Sequence, residues 1–173
     1  MKTISSRSYI DQSDYEHMLE LLIEARLRTS DWRYAHVGEL AFNNFMVAIH
    51  LKLEDHIRLW YDQEKLVGFA LLGEDPAIDW QILPDYEWSG IEEEVMAWAE
   101  ERLEQLRKRD PQKWGEELVS GSRQDNNKRI EFLEKHGFTY RGDFSEVNML
   151  RSLTNPIPAP KVTDAFMVSE FLG

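Results

Sequence analysis

The stretch from residue 77 to residue 106 constrains the fold more than any other part of the chain. An apolar, strand-like run, AIDWQIL, leads into the turn PDYEWSG, and an amphipathic helix follows directly. After the turn, apolar residues recur at helical spacing: Ile91, Val95, Trp98, Ala99, Leu103 and Leu106. A strand, a glycine-containing turn and a helix N-terminus together make a common cradle for phosphate groups. The segment predicts strand, turn and helix in that order, with a candidate anion site at the turn.

The turn is unusually acidic for a phosphate site. Four glutamates lie in it or just after it: Glu87, Glu92, Glu93 and Glu94. In the first turn of a helix a carboxylate is favourable by about 0.3–1 kcal/mol, because the N-terminus carries a partial positive charge. At about 6 Å from a pyrophosphate the same carboxylate opposes binding by roughly 1–3 kcal/mol. Either the helix satisfies its own N-terminus, or the glutamates point outward and backbone N–H groups still hold an anion.

The other elements follow from periodicity and turn chemistry. Strands are predicted within residues 3–9, 56–62, 65–73, 77–83 and 116–122, with a closing hairpin over 138–144 and 145–153. Helices are predicted from a capping box at Ser13–Glu16, over 37–51, from Ile91 to the RKRDP sequence, and over 125–138 with Asp125 or Asn126 as its cap. The sum is an α/β fold: a mixed, mostly antiparallel sheet of six or seven strands, flanked by four helices.

Composition narrows the class of protein. A chain of 173 residues suits one domain, and 42% hydrophobic residues argue against disorder. A net charge of −12 does not fit a nucleic-acid binder, which needs a basic surface. The sequence has no cysteine, no secretory signal and no apolar run long enough to span a membrane. We expect a soluble cytoplasmic protein with no nucleic-acid or membrane partner.

The C-terminal segment changes character. Residues 154–161, TNPIPAPK, hold three prolines in eight positions and predict an extended, semi-rigid linker. Residues 162–173 then alternate like a strand. We expect that strand to begin a second domain, although it could instead fold back onto its own sheet.

The order of elements over residues 1–153 resembles the GNAT superfamily of acyl-CoA-dependent N-acyltransferases. ILPDYEWSGIEEEVMAWAEERL is similar to that family's acyl-CoA motif, in which an Arg/Gln-x-x-Gly-x-Gly/Ala pattern wraps a pyrophosphate at a helix N-terminus. NNKRIEFLEKHGF, about 40 residues later, is similar to the family's later helix, which contains an asparagine and ends in Gly-Phe. The linker and last strand also look like the join in tandem-GNAT proteins, whose first lobe is often degenerate.

The departures from the family pattern fall where the chemistry lies. Gly90 matches the middle glycine, but Glu87 stands in place of the usual Arg or Gln and Glu92 in place of the last small residue. On the later helix Leu133 replaces a tyrosine that often serves as general acid, and leucine has no proton to donate. These changes predict acyl-CoA binding weakened roughly 10²- to 10⁴-fold.

The resemblance implies roles for individual residues. Asp79, five positions before Pro84, would be the base that assists deprotonation of the amine. The backbone amides of Leu83 and of Ser89, Gly90, Ile91 and Glu92 would orient the thioester and pyrophosphate, and Asn126 would contact the cofactor arm. For each, an ordinary structural role is the alternative. Tyr86 is a further proton donor near the turn, although it can equally serve as a packing residue.

The acceptor amine would meet the link between the two early helices. Trp32, Arg33 and His36 lie there, and Arg33 could anchor an acidic group of the substrate, although ordinary packing also explains these residues. Lys128 and Arg129 could help to hold a phosphate or could simply form a solvated helix face. The five histidines show no metal-ligand spacing, so no metal site is predicted.

Two functions therefore stand side by side. One is an N-acetyltransferase that uses acetyl-CoA on an unidentified small amine. The other is a non-catalytic GNAT-like lobe, a pseudoenzyme that forms an interface or a substrate pocket with a second GNAT domain or with another copy of itself.

Overall fold

The computed structural model describes residues 4–29, 33–42 and 51–142. The chain divides into two compact units, Met1–Thr139 and Tyr140–Gly173. The sheet and the candidate site lie in the first unit. The predicted linker over 154–161 and the strand over 162–173 lie outside the described residues, so the predicted domain boundary at residue 153 stays a prediction.

The central layer is a four-stranded antiparallel sheet with the strand order β1-β2-β3-β4. Its strands are β1 Ile4–Ser8, β2 Ile57–Asp62, β3 Lys65–Leu72 and β4 Ile78–Ile82. The predicted hairpin is present, because β2 and β3 pair through a tight turn in which Asp62 faces Lys65 and Gln63 has a φ of 57°. Each of these strands lies within one or two residues of its predicted position.

Five helices accompany the sheet within the described residues. They are α1 Gln12–Thr29, α2 Val37–Phe42, α3 Leu53–His56, α4 Ile91–Arg109 and α5 Asn127–Lys135. The short α3 was not predicted, since four residues are too few to show a helical period. The second predicted helix starts at Val37 as expected, but residues 43–50 of it lie outside the described part of the chain.

The start of α1 differs from the predicted capping box. The Ser13 N–H donates to Asp11 Oδ1 at 2.9 Å, so Asp11 takes the capping position. Asp14 accepts from the backbone N–H of Ile10 at 2.8 Å, which supplies the reciprocal bond of a capping box one position early. Glu16, the predicted partner of Ser13, is exposed.

The core lies on both sides of β3. Residues 66–70 of this strand are all buried, which requires cover on each face. Helices α1 and α4 both contact β3. At Gly68 an added Cβ would lie 3.2 Å from Ile82 Cγ1 and 3.7 Å from Ile91 Cγ2. Glycine at this position therefore leaves room for the side chain of Ile82 on the neighbouring strand, and Ile91, the first residue of α4, lies in contact distance of the same place.

The remaining strand predictions are only partly met. The segment 116–122 contributes one isolated parallel bridge, between Ala77 and Val119, in place of a full strand. Two backbone bonds form it: Ile78 N–H to Val119 O at 2.8 Å and Val119 N–H to Pro76 O at 2.9 Å. Residues 138–142 form no strand, and 143–153 lie outside the described residues. Six or seven strands are thus not confirmed by the described part of the chain.

Candidate functional site

The turn between β4 and α4 is held by its own backbone. The carbonyl of Leu83 accepts from the N–H groups of Tyr86 at 2.8 Å and of Glu87 at 3.2 Å. Ser89 Oγ donates to Tyr86 O. Trp88 and Gly90 both have positive φ, 61° and 108°, which glycine adopts readily and tryptophan rarely does. Two left-handed residues in three positions turn the chain sharply into the helix.

Glu92 fills the N-terminus of α4. Its side chain is 1% exposed, and Oε1 accepts from the backbone N–H of Trp88 at 2.6 Å. Oε2 is buried without a hydrogen-bond partner among the described residues. In a phosphate cradle the helix N-terminus and the preceding turn present N–H groups to an anion. Here a carboxylate of the chain itself occupies that position.

The environment of Glu92 disfavours its charge. Burial raises the pKa of Glu92, and the nearby carboxylates of Glu93 and Glu87 push it in the same direction. Bonds from the backbone N–H groups of Trp88 and of Glu92 itself oppose that pKa shift. The net direction is upward, so the loss of solvent outweighs the favourable helix N-terminus.

Glu87, at the family's Arg/Gln position, faces the link between α1 and α2. The Tyr34 hydroxyl lies 2.5 Å from Glu87 Oε1 and 3.0 Å from the carbonyl oxygen of Ile82. Arg33 Nη1 lies 3.8 Å from Glu87 Oε2. Since Tyr34 is 4% exposed, this contact is a buried tie between the link and the acidic turn.

The edge of β4 that faces away from β3 is covered by side chains. Three carbonyl groups at alternate positions accept bonds from outside the sheet. Ile78 O accepts from Ser120 Oγ at 3.0 Å, Trp80 O from Arg129 Nη1 at 3.4 Å, and Ile82 O from Tyr34. Backbone pairing with the following segment ends after the bridge at Val119. Beyond that bridge, this edge contacts the side chains of Arg129 and Tyr34.

Asp79 lies on β4, and its side chain is 57% exposed. Arg129 Nη2 donates to its Oδ1 at 2.8 Å, and Gln81 Nε2 donates to its Oδ2 at 3.0 Å. The Arg129 guanidinium stacks over the Trp80 ring at 3.6 Å from the centroid. Arg129 is 12% exposed and therefore does not belong to a solvated helix face, whereas its predicted role toward a phosphate stays a prediction. It fills the space beside β4 and neutralises the predicted base.

The other predicted cofactor residues have structural partners. The Leu83 N–H donates to Val67 O at 2.8 Å, within the sheet. Asn126 Oδ1 accepts from the Arg129 N–H at 3.2 Å, so Asn126 is the predicted cap of α5. Ile91 is 2% exposed and packs in the core. The roles of these residues toward a cofactor, and those of Ser89 and Gly90, stay predictions.

The predicted substrate residues are only partly described. Arg33 contacts Glu87, and His36 Nδ1 accepts from the Gly38 N–H at 3.0 Å. Trp32 lies outside the described residues. Leu133, at the family's tyrosine position, is 6% exposed and belongs to the core. Tyr86 donates its hydroxyl proton to Asp62 Oδ2 at 2.9 Å, and this bond raises the pKa of Tyr86.

Two residues at the site were missed as functional elements. They are Tyr34, in the link between the early helices, and Trp80, within the strand predicted over 77–83. The signal for Trp80 is its position one residue after Asp79, on a strand whose neighbour α5 carries an arginine. No pattern in the sequence points Tyr34 toward Ile82.

Among the described residues no group of histidine or acidic side chains is arranged to hold a metal ion, and no helix is long and apolar enough to cross a membrane.

Comparison with known proteins addresses the fold. No family model and no curated protein sequence matches the chain. A GCN5-related N-acetyltransferase from Sphaerobacter thermophilus aligns with a TM-score of 0.57 at 15% identity, over 77% of this chain. The match spans only 42% of the Sphaerobacter protein.

Two further solved structures are complexes, one with a bisubstrate analogue and one with acetyl-CoA. The aminoglycoside N-acetyltransferase AAC(6')-Iy, in complex with a bisubstrate analogue of CoA, aligns with a TM-score of 0.52 at 15% identity, over 87% of this chain and 98% of that one. A putative acetyltransferase from Salmonella typhimurium with its cofactor acetyl-CoA aligns at 0.51 and 16%, over 79% of each chain. At such identities the likeness establishes the fold alone. The chain has a mixed α/β, GNAT-like fold.

Proposed function

We propose that this GNAT-like domain is a non-catalytic lobe that works beside a true N-acetyltransferase domain, as an interface or as one wall of a substrate pocket. The observation that supports this most strongly is the buried carboxylate of Glu92 at the start of α4. When ionised, this carboxylate would oppose a di-anionic cofactor tail at the same helix N-terminus, because the two carry like charge.

Three further contacts support the same proposal. Glu87 stands where a cation would grip the pyrophosphate, and it contacts Tyr34 and Arg33 instead. Asp79 is paired with Arg129, so its Oδ1 already accepts a hydrogen bond where an amine proton would have to go. The edge of β4 is covered by three side chains. Each of these contacts would have to be released before a cofactor and an amine could take their places.

A thermal-shift titration with acetyl-CoA tests this proposal. At 1 mM ligand, a site with a Kd of about 10 μM would stabilise the native state by about 2.7 kcal/mol. For a chain of this size that corresponds to a rise in Tm of roughly 5–10 °C. We expect a change below about 1 °C, and a rise of several degrees would contradict the proposal.

The second candidate is an acetyl-CoA-dependent N-acetyltransferase that acts on a small amine. It is favoured by the solved neighbours that are complexes with a CoA-containing analogue or with acetyl-CoA. In that case Glu92 would leave the turn when the cofactor arrives. The N–H groups of Ser89, Gly90 and Ile91 would then take the pyrophosphate, and Arg129 would have to release Asp79. Transfer of acetyl groups to a panel of small amines, above a protein-free control, would favour this candidate.

The proposed partner is a second GNAT domain or another copy of this chain. Sedimentation equilibrium of the chain separates the two cases. A dimer mass would favour self-association. A monomer mass leaves a separate GNAT domain as the proposed partner.

A further inference from the structure

A shallow surface cavity, open to solvent, lies beside the acidic turn, between the turn and α5. Five residues form it: Trp88, Lys128, Glu131, Phe132 and Lys135. Its volume is about 300 Å³. Because the cavity is open, a bound ring would rest on its aromatic side chains with one face still in water.

The aromatic wall of this cavity is rigid. Trp88 is held at a φ of 61° by the turn, and its N–H donates to the buried carboxylate of Glu92. A bulky residue in this conformation is uncommon and persists only where the surrounding structure enforces it. The indole meets the ring of Phe132 edge-to-face at 5.7 Å between centroids, and 36% of Trp88 stays exposed. The turn thus presents an aromatic surface to solvent.

The floor of the cavity is equally fixed. Phe132 is 7% exposed and packs against three rings: Trp80, Trp88 and His136. Two of these contacts are edge-to-face, which aromatic rings prefer. A flat ring that enters the cavity would meet one preformed aromatic wall and a buried aromatic floor, with little ordering of either.

The rim of the cavity is cationic in an otherwise acidic chain. Lys128 and Lys135 are two helical turns apart on α5, and Glu131 lies between them. Within the described residues neither lysine makes an ion pair. Two ammonium groups against one carboxylate leave a local positive balance, although the whole chain has a net charge of −12. The two lysines therefore offer an anion a local partner beside a turn that is otherwise acidic.

We propose that this cavity binds a planar aromatic acid of one or two rings, with the ring on Trp88 and the acid group at Lys128 and Lys135. The inference rests on the proposed function in one respect: Glu92 occupies the adjacent helix N-terminus, so the acid group of the ligand is held by the lysines alone. The ligand would be a substrate or an effector of the lobe's catalytic partner.

Calorimetry with 2-naphthoate tests this inference, with neutral 2-naphthamide and acetate as the paired controls. We expect 2-naphthoate to bind with a sub-millimolar Kd, and 2-naphthamide about tenfold more weakly because it lacks the charge-assisted bonds. Acetate should show no binding, since it lacks the ring. Equal affinity for naphthoate and naphthamide, or no binding of naphthoate at millimolar concentration, would overturn the proposal.

The variant that removes the ring is Trp88→Gly. Because glycine adopts a positive φ without strain, this change keeps the turn and removes only the indole. It should abolish binding of both aromatic probes, and unchanged far-UV circular dichroism would establish that the fold is intact. If a folded Trp88→Gly protein bound naphthoate as the wild type does, the site would be elsewhere.

Lys128→Ala tests the rim, with Lys108→Ala as its control because that lysine is exposed on α4. The first change should weaken naphthoate binding about fivefold and leave naphthamide binding unchanged, whereas the second should change neither. Unchanged naphthoate binding in Lys128→Ala would remove the lysine from the proposal.

Acetyl-CoA added to the naphthoate complex separates this inference from the proposed function. If acetyl-CoA binds without displacing naphthoate, the proposed function fails and the aromatic-acid site stands. If acetyl-CoA displaces naphthoate, the cavity is part of a cofactor site and the inference fails.

Discussion

Two buried carboxylates lie at opposite ends of the same unit, and they differ in how completely they are satisfied. Asp14, at the start of α1, is 2% exposed and accepts bonds from Arg7, from the Ile10 N–H and from the Tyr61 hydroxyl. Glu92, at the start of α4, is 1% exposed, and one of its oxygens has no partner among the described residues.

The pKa values of the two carboxyl groups are shifted in opposite directions. Burial alone would raise the pKa of Asp14, but bonds from Arg7, Ile10 and Tyr61 together outweigh burial and hold that pKa below its usual value. Burial dominates at Glu92 and raises its pKa. The first carboxylate is part of the architecture, whereas the second sits in an anion cradle that does not compensate its charge. This difference supports the proposal that a side chain of the protein closes the start of α4 to a ligand.

The largest expected loss of stability is for a substitution at Asp14. Asp14→Asn removes the counter-charge of Arg7, whose side chain is 40% exposed, and weakens its charged hydrogen bonds, so it should cost about 1.5–3 kcal/mol of unfolding free energy. Urea titration at pH 7 measures this. The control is Asp85→Asn, which breaks an exposed pair with Arg28 and should change stability by no more than the error of the measurement. A small loss in Asp14→Asn would contradict the structural role of this ion pair.

The substitution Glu92→Gln should raise the free energy of unfolding, whereas Asp14→Asn lowers it. Above its folded pKa, Glu92 carries a buried charge that the neutral amide avoids, so in that pH range the variant should be more stable by about 1 kcal/mol. A raised folded pKa gives stability that is present below the unfolded value of 4.5 and is lost as the pH rises through the folded pKa. The advantage of Glu92→Gln should therefore disappear at low pH.

Urea titrations of both proteins between pH 4 and pH 8 measure that pH dependence. Glu93→Gln is the matched control, because Glu93 is the exposed neighbour on the same helical turn. A stability difference that stays constant over this range would show that the charge of Glu92 is not what destabilises the wild type.

The smallest expected loss of stability concerns Tyr34, which connects the link between α1 and α2 to the acidic turn. Tyr34→Phe removes the hydroxyl that contacts Ile82 O and Glu87, and it should cost about 1 kcal/mol. Tyr86→Phe removes the bond to Asp62, near the surface, and should cost less. Equal losses in thermal unfolding would mean that burial of the Tyr34 hydroxyl adds nothing.

The elements of the fold were largely predictable because their signals are local. Alternating and helical periodicity, the turn at residues 62–65 and the glycine at position 90 give β2, β3, β4 and α4 within one or two residues. The start of α1 was misjudged, because Asp11 and Ser13 are both good caps and tertiary contacts of Asp14 decide between them. The segment 116–122 has strand-like composition but pairs only at Val119.

The sequence predicts where the candidate site lies, but it does not predict which way the side chains of the site point or what they contact. The sequence shows that Glu87 and Glu92 replace a cation and a small residue, but the direction of a side chain depends on what covers it. The inward position of Glu92 follows from the sharp turn at Trp88, and the role of Arg129 follows from the packing of α5 beside Trp80. Both are tertiary effects, which no spacing along the chain encodes.

The most direct test of the closed cradle is calorimetric titration of acetyl-CoA into the wild type, Glu92→Ala and Glu93→Ala. Alanine keeps the helix and removes the carboxylate, so Glu92→Ala frees the Trp88 N–H. We predict binding at least about tenfold tighter in Glu92→Ala than in the other two proteins. Equal affinity of acetyl-CoA for the wild type and for Glu92→Ala would contradict the claim that Glu92 closes the site.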